Sequence, residues 1–373
     1  MAKIWIDGCF DFAHHGHAGA MMQARQQGDE LYVGVHNDDD ILINKGPPVM
    51  TLEERMIAVN GCRWCTEAVP DAPYVTDPKV MDEYGCKYVV HGDDITTDKD
   101  GKDCYAEVKE MGRFIVVKRT PNISTTDLVG RMLLFSKDHH IKPITEEDWV
   151  NKNSLLLTVD SIESYRKYAT ASDAKSPGVQ VFLNCEGHIH KLISGSQNIE
   201  AGKKAYFVNG GFDLFNPGHI LLLKKIKELA TADNAIVVVG VSDDYTVSHM
   251  KGSNYPIMNL FERSLCVLQS KYIDVLILAS PEKINAEFLE TFANVSKHEI
   301  VKILHGPTKM IAEDYDGLDV ETVNVEKFKN MDVSSIVDRV IANREAFEER
   351  QRRKGWKREV EAQLEAKEKE KAV

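Results

Sequence analysis

The chain has 373 residues, 43% of them apolar and 8% aromatic, and carries a formal net charge of −12. That length suits two domains of about 150 residues each with connecting and terminal segments, and the acidic balance disfavours DNA or RNA, whose binding rests on a basic footprint. No run approaches the ~18 consecutive apolar residues of a membrane span, and the seven cysteines follow no disulfide-framework spacing.

In chain order, Lys3–Ile6 reads as a strand rather than a secretory leader. A helix over His17–Gln27 opens from a Gly-His turn, and Glu30–His36 is a second strand. Thr51 caps a helix running to Gly61, with Glu53 and Glu54 in its first turn. Cys62 and Cys65 form a C-x-x-C with no second ligand pair, so they are read as core thiols in a reduced, cytoplasmic protein. Strands follow at Cys86–His91 and Arg113–Lys118, with a helix at Ala106–Met111 between them and another over Ser124–Phe135 capped by Ser124. Short apolar strands alternating with helices predict an α/β fold, a Rossmann-like, doubly wound parallel sheet. Such sheets bind ligands outside the carboxyl ends of the strands.

The pattern then repeats. Gly8-Cys9-Phe10-Asp11 with Gly16-His17 returns as Gly210-Gly211-Phe212-Asp213 with Gly218-His219. Lys45-Gly46 returns as Lys251-Gly252, Glu54-Arg55 as Glu262-Arg263, and His91-Gly92 as His305-Gly306. Landmarks in one order over this length mean two tandem globular copies rather than a solenoid. The expected division is 1–136 for the first domain, 137–203 for a linker, 204–343 for the second domain and 344–373 for a charged helix or tail. Gly178–Ile193 reads as a short strand pair within the linker. In the tail, Phe347, Trp356, Val360 and Leu364 make only a thin apolar stripe, which suits peripheral membrane contact at most.

The turn His14-His15-Gly16-His17 carries the chemistry. Backbone amides and the positive end of the helix dipole face an incoming ligand there, and Gly16 removes side-chain bulk where a phosphate approaches. His14 and His17 offer two hydrogen-bond donors to charge developing on phosphorus. Metal binding, with Asp11 as a further ligand, is the rival reading of the histidines. A dinucleotide-dependent dehydrogenase is not supported, because the turn has no G-x-G-x-x-G.

Gly8-Cys9-Phe10-Asp11 leading into His14-x-Gly16-His17 resembles the signature of the cytidylyltransferase branch of the nucleotidyltransferases, and Arg119-Thr120-Pro121-Asn122-Ile123-Ser124-Thr125-Thr126 resembles its second signature, R-T-x-G-I-S-T-T. The resemblance implies that His14 and His17 stabilise the α-phosphate of CTP during in-line attack. Lys45 would close over the phosphates, and Arg119 would meet a phosphate or base edge. Nucleotide contacts are then expected from Gly8, Cys9, Phe10, Asp11, Gly16, Gly92, Asp93, Thr120, Ile123, Ser124, Thr125 and Thr126. Mg²⁺ is expected to arrive with CTP, and no dedicated protein cage for it is visible. The family glycine of the second signature is Asn122 here, a residue that tolerates positive φ.

The second copy has Asn216 at the first histidine position and lacks the arginine and threonine run near Asn330–Ser335. It is expected to keep the fold but lose most chemistry. A residual nucleotide site there would involve Gly211, Phe212, Asp213, Asn216, His219 and Lys251. Two tandem copies without a long amphipathic membrane helix resemble the ethanolamine-phosphate branch, as does Ala72-Pro73-Tyr74-Val75-Thr76 with His91-Gly92-Asp93-Asp94. That implies phosphoethanolamine as co-substrate, with Tyr74 and Asp94 near its ammonium, and phosphatidylethanolamine synthesis as the destination. Choline or glycerol phosphate, a non-catalytic nucleotide-binding role, and a homodimer stay open.

Overall fold

The computed structural model describes residues 2–196, 199, 201–307, 315, 318–350 and 352. They separate into two compact units, one running to Leu133 and resuming at Ser334, the other spanning Leu134–Val333.

The first unit contains five strands, β1 (Lys3–Gly8), β2 (Glu30–Val35), β3 (Glu67–Pro70), β4 (Cys86–Gly92) and β5 (Phe114–Val117). They form one all-parallel sheet in the order β3-β2-β1-β4-β5. Central strands buried on both faces must be apolar throughout, and Ile4, Trp5, Ile6, Leu31 and Val33 are all buried. The connecting helices are α1 (His15–Arg25), α2 (Asp38–Asn44), α3 (Leu52–Gly61), α4 (Pro78–Glu83), α5 (Ala106–Glu110) and α6 (Thr125–Leu134). The β1–β4 ladder ends at Trp5 and Val89, although both strands run three residues further. The strand order reverses there, so the splayed ends open a crevice at the switch point.

The second unit has a seven-stranded sheet from β6 (Gln180–Cys185), β7 (His188–Ile193), β8 (Lys204–Gly210), β9 (Ile236–Ser242), β10 (Val275–Ser280), β11 (Glu299–His305) and β12 (Val320–Thr322), ordered β12-β11-β8-β9-β10-β6-β7. Five of these strands repeat the order of the first sheet, and β6 and β7 extend it, with β7 antiparallel. Its helices are α7 (Glu146–Asn151), α8 (Val159–Tyr168), α9 (Pro217–Ala232), α10 (Asp244–Lys251), α11 (Leu260–Leu268) and α12 (Ala286–Ser296). The stretch read as a linker therefore builds part of this unit, and its strand pair belongs to the sheet. A further helix, α13 (Val333–Ala342), lies from Ser334 onward with the first unit, where Arg339 makes two hydrogen bonds to the buried Glu54 carboxylate at 2.8 and 2.9 Å. Periodicity marks such a helix as amphipathic but carries no address for the surface it covers. Residues 344–350 continue as helix; Trp356, Val360 and Leu364 lie outside the described residues.

The turn after the first strand of each copy is held by the same two buried side chains. Asp11 accepts backbone N–H bonds from Val49 (3.0 Å) and Met50 (2.9 Å), and Asp213 accepts them from Ile257 (2.7 Å) and Met258 (3.0 Å). Arg55 donates to the carbonyls of Cys9 (2.8 Å), His36 (2.7 Å) and Met50 (3.1 Å) and to Asp38 (2.5 Å). Arg263 donates to those of Gly211 (2.5 Å), Ser242 (2.7 Å) and Met258 (2.9 Å) and to Asp244 (2.7 Å). These bonds fix a turn with left-handed non-glycine residues, Phe10 at φ 52° and Phe12 at 64°, matched by Phe212 at 49° and Leu214 at 44°. Such conformations persist only where surrounding structure over-determines them. Replacing Arg55 or Arg263 by methionine leaves a buried carboxylate or several carbonyls without a donor. Each change is expected to lower stability by about 3–5 kcal/mol, read as a fall in the urea midpoint of the full-length protein.

Candidate active site

His14 is the N-cap of α1, whose first residue, His15, lies two residues before the start at His17 read from the sequence. Its Nδ1 accepts the Gly16 backbone N–H at 3.1 Å. A nitrogen that accepts carries no proton, so neutral His14 is the Nε2–H tautomer. Among the described residues that buried Nε2 has no hydrogen-bond partner, and neither has Nδ1 of His17. The two rings stack at 3.9 Å and 18°, and Phe10 meets His17 edge-on at 5.5 Å. Two imidazoles this close resist protonation. Burial, then His17, His15 and Arg119, hold His14 well below the ordinary histidine value, while burial, Lys45 and Arg119 push His17 down to about 3. Gly16 is required by packing: a Cβ there would sit 2.8 Å from Ile123 Cγ2 and 2.9 Å from His14 Cε1.

The charges acting on the histidines bring the four expected catalytic residues together. Lys45 follows α2, with its ammonium 5.8 Å from the centre of the Tyr74 ring; the Cys9 thiol and Tyr74 hydroxyl push it above the ordinary lysine value, so it stays cationic. Arg119 follows β5; its N–H donates to Asp93 at 3.2 Å and its guanidinium pairs with Asp94 at 2.9 Å, both side chains about half exposed. Asp94, expected near an ammonium, thus holds the arginine, and a Cβ on Gly92 would strike its carboxylate at 2.7 Å. Tyr74 is buried, 5.0 Å from His36, with its hydroxyl unpartnered.

In the second signature Asn122 has φ 62°, so it keeps the left-handed turn. Buried Ile123 packs at Gly16, Ser124 caps α6 through Asp127, and Thr125 Oγ1 donates to the Asp11 carbonyl at 3.4 Å. Thr120 and Thr126 flank this turn. Gly8, at the end of β1, has room for a side chain, and the Cys9 carbonyl is engaged by Arg55. Asp11 turns both oxygens to loop amides rather than to the imidazoles, which leaves the metal-ligand reading of the histidines without its carboxylate. Among the described residues no metal-holding cluster forms here.

Sequence reasoning passed over the floor of the crevice. Buried Asp7 accepts from Trp5 Nε1 (2.9 Å), Thr76 Oγ1 (2.7 Å) and Tyr105 OH (2.7 Å), and His91 packs on Tyr105 at 4.6 Å. The available signal was an aspartate inside an otherwise apolar strand.

In the second copy, Asn216 Oδ1 accepts from the N–H groups of Gly218 (3.0 Å) and His219 (3.3 Å), while its buried Nδ2 has no partner. Asparagine thus reproduces the acceptor and spare donor of His14. Phe212 packs 5.3 Å from His219, which burial and Lys251 lower to about 4, against the raising effect of Asp332. No arginine takes the place of Arg119 among the groups that shift it.

All seven cysteines are buried and none forms a disulfide. No described helix is long and apolar enough to cross a membrane.

The depressed histidines set a pH dependence. Unfolded, His14 and His17 titrate near 6.5; folded, they bind protons only well below that. The unfolded chain therefore takes up more protons as pH falls below 6.5, and stability present above that pH is lost on the way toward 3, by at most about 1.4 kcal/mol per pH unit for each histidine. The urea midpoint is expected to drop between pH 7.5 and 5.5, and to drop less in a His14→Asn/His17→Asn variant. An equal drop in both would assign the dependence to other groups.

A family model described as cytidylyltransferase-like matches residues 5–131 and 207–338, one match on each copy. The ethanolamine-phosphate cytidylyltransferase of Mus musculus is 37% identical, over 95% of this chain and 89% of its own length. That of Dictyostelium discoideum is 36% identical, over 94% of both chains. Choline-phosphate cytidylyltransferase 2 of Arabidopsis thaliana is 38% identical, but over only 35% of this chain and 44% of its own. Matched along almost its whole length, with both copies aligned, the chain belongs to the ethanolamine-phosphate cytidylyltransferase family.

Proposed function

We propose that the first unit transfers CMP from CTP to phosphoethanolamine, giving CDP-ethanolamine and pyrophosphate on the route to phosphatidylethanolamine. The observation that carries this reading is the pair of unsatisfied imidazole nitrogens, His14 Nε2 and His17 Nδ1, beside Lys45 and Arg119 at a helix start. A phosphomonoester oxygen is already an anionic nucleophile and needs no general base. It attacks the α-phosphorus, the bond to the bridging oxygen of the β-phosphate breaks, and pyrophosphate leaves with that electron pair. His14 donates its Nε2 proton in a hydrogen bond to a non-bridging α-oxygen, as His17 does through its protonated nitrogen. Lys45 and Arg119 offset charge on the triphosphate, so catalysis is alignment plus neutralisation. Mg²⁺ carried by the triphosphate would supply further charge neutralisation.

Phosphoethanolamine is favoured over choline or glycerol phosphate by the end-to-end likeness to the ethanolamine relatives, and the Tyr74 hydroxyl, without a partner among the described residues, offers an acceptor suited to a primary ammonium. Buried thiols without disulfides suit a cytoplasmic setting. The second copy keeps a spare donor at Asn216 but no counterpart of Arg119 among the groups acting on His219, so it is weakly active or inactive.

Pyrophosphate release measured in parallel with phosphoethanolamine, phosphocholine and glycerol 3-phosphate tests this. Phosphoethanolamine is expected to be preferred, with His17→Ala lowering its turnover by about 10²–10³-fold and His219→Ala changing it little. Loss with His219→Ala alone would move the chemistry to the second copy; no release with any acceptor would leave a nucleotide-binding protein. Gly16→Ala, which crowds Ile123 and pushes His14 off its amide, is expected to cost about 10²-fold in turnover while lowering the melting temperature by only the few degrees of an overpacked site.

A further inference from the structure

Outside the candidate active site, the second unit brings together a set of side chains that nothing in the nucleotide chemistry uses. β6 and β7 form a hairpin whose two-residue turn, Glu186 at φ 49° and Gly187 at φ 92°, matches the twist of the strands. Cys185 pairs with His188 across it, and Leu183 with His190. Side chains alternate along a strand and directly paired residues share a face, so Cys185, His188 and His190 project from the same side. Glu146, the first residue of α7, comes down on that side. Its Oε1 lies 2.7 Å from His190 Nε2 and 3.7 Å from His188 Nδ1.

We propose that Cys185, His188, His190 and Glu146 form a zinc-class transition-metal site that clips α7 to the hairpin. The ligand atoms of Glu146, Cys185 and His190 lie within 4.8 Å of one another. Tetrahedral bonds of about 2.0–2.3 Å separate ligand atoms by roughly 3.3–3.8 Å, so these three close on an ion by drawing together about 1 Å, and His188, with Nδ1 3.7 Å from Glu146 Oε1, turns in as the fourth ligand. One thiol, two imidazoles and one carboxylate select zinc over magnesium or calcium, which prefer all-oxygen sets. The ligands are also oriented from behind, as metal ligands characteristically are. Trp149 stacks on the His190 ring at 4.3 Å and 16°, and Glu186 accepts the Glu146 backbone N–H at 3.1 Å. Cys185 is buried at the inner end, while the His188 side chain, 70% exposed, leaves a path from solvent.

The test is a titration of chelator-treated full-length protein with Co²⁺ and then Zn²⁺. One equivalent of cobalt is expected to give visible bands of tetrahedral intensity with a near-ultraviolet thiolate band, both abolished when zinc displaces it. Zinc is expected to raise the melting temperature by several degrees. Cys185→Ser should remove the thiolate band. His188→Ala, an exposed position that the fold tolerates, should weaken binding at least tenfold. Both variants should retain pyrophosphate release, which separates this site from the proposed transferase chemistry. Cobalt bound without a thiolate band, or equally by the wild type and the variants, would mean an adventitious ion only and overturn the assignment, as would no binding at all.

Discussion

The candidate active site hangs from a polar network built on two buried side chains, Asp11 and Arg55. Asp11 draws in the loop after Lys45 by two backbone amides, and Arg55 holds the carbonyls of Cys9, His36 and Met50 around it. A guanidinium has five donors in a rigid fork, so one side chain can tie three chain segments where a lysine would tie one. The desolvation cost of burying it is met by saturating its donors with carbonyls and the Asp38 carboxylate. The left-handed residues of the strand-to-helix turn are tolerated because this network leaves them no alternative. Its repetition around Asp213 and Arg263 shows that it belongs to the fold of each copy rather than to catalysis in one of them.

That scaffold explains the electrostatics above it. Stacked imidazoles beside Lys45 and Arg119 are kept neutral, which leaves them N–H donors rather than resident cations. His14 is polarised in one tautomer by the Gly16 amide, which is also why Gly16 cannot carry a side chain. In the second copy Asn216 accepts the corresponding amide and keeps a spare donor, so its fold survives the change of residue type. Charge, not hydrogen bonding, is the larger difference between the copies: Arg119 acts on the first histidine pair, whereas Asp332 acts on His219.

The second unit departs from the first mainly by addition. The hairpin β6–β7 extends its sheet beyond β10, and Glu146 at the start of α7 reaches β7 at His190. β6 is buried along its whole length, and Phe182 and Ile189 join the core of the unit; the contact of Glu146 with His190 and the stacking of Trp149 then tie α7 to β7.

The sequence by itself determined the local and repetitive features. Apolar strands alternating with helices, the Thr51 and Ser124 caps, the left-handed tolerance of Asn122 and the duplication itself follow from short-range rules, because neighbours in sequence supply the interacting groups. The signature residues His14, His17 and Arg119 were legible for the same reason, each following the strand that fixes its place, whereas Lys45 is delivered by the end of α2. What only the tertiary structure decided involves partners far apart in the chain. Arg55 appeared in the sequence as a repeat landmark with no assigned contact, and its carbonyls come from three separate segments. Asp11 was read from sequence as a nucleotide contact, and its hold on the Val49 and Met50 amides became visible only in the folded chain. Asp7, Thr76 and Tyr105 meet only across the sheet, the segment before residue 204 became sheet rather than linker, and Ser334–Ala342 packs with the first unit. Hydrophobic and charge patterns state that a face must be covered; they carry no information on which distant segment covers it, because that depends on the summed packing of the folded chain.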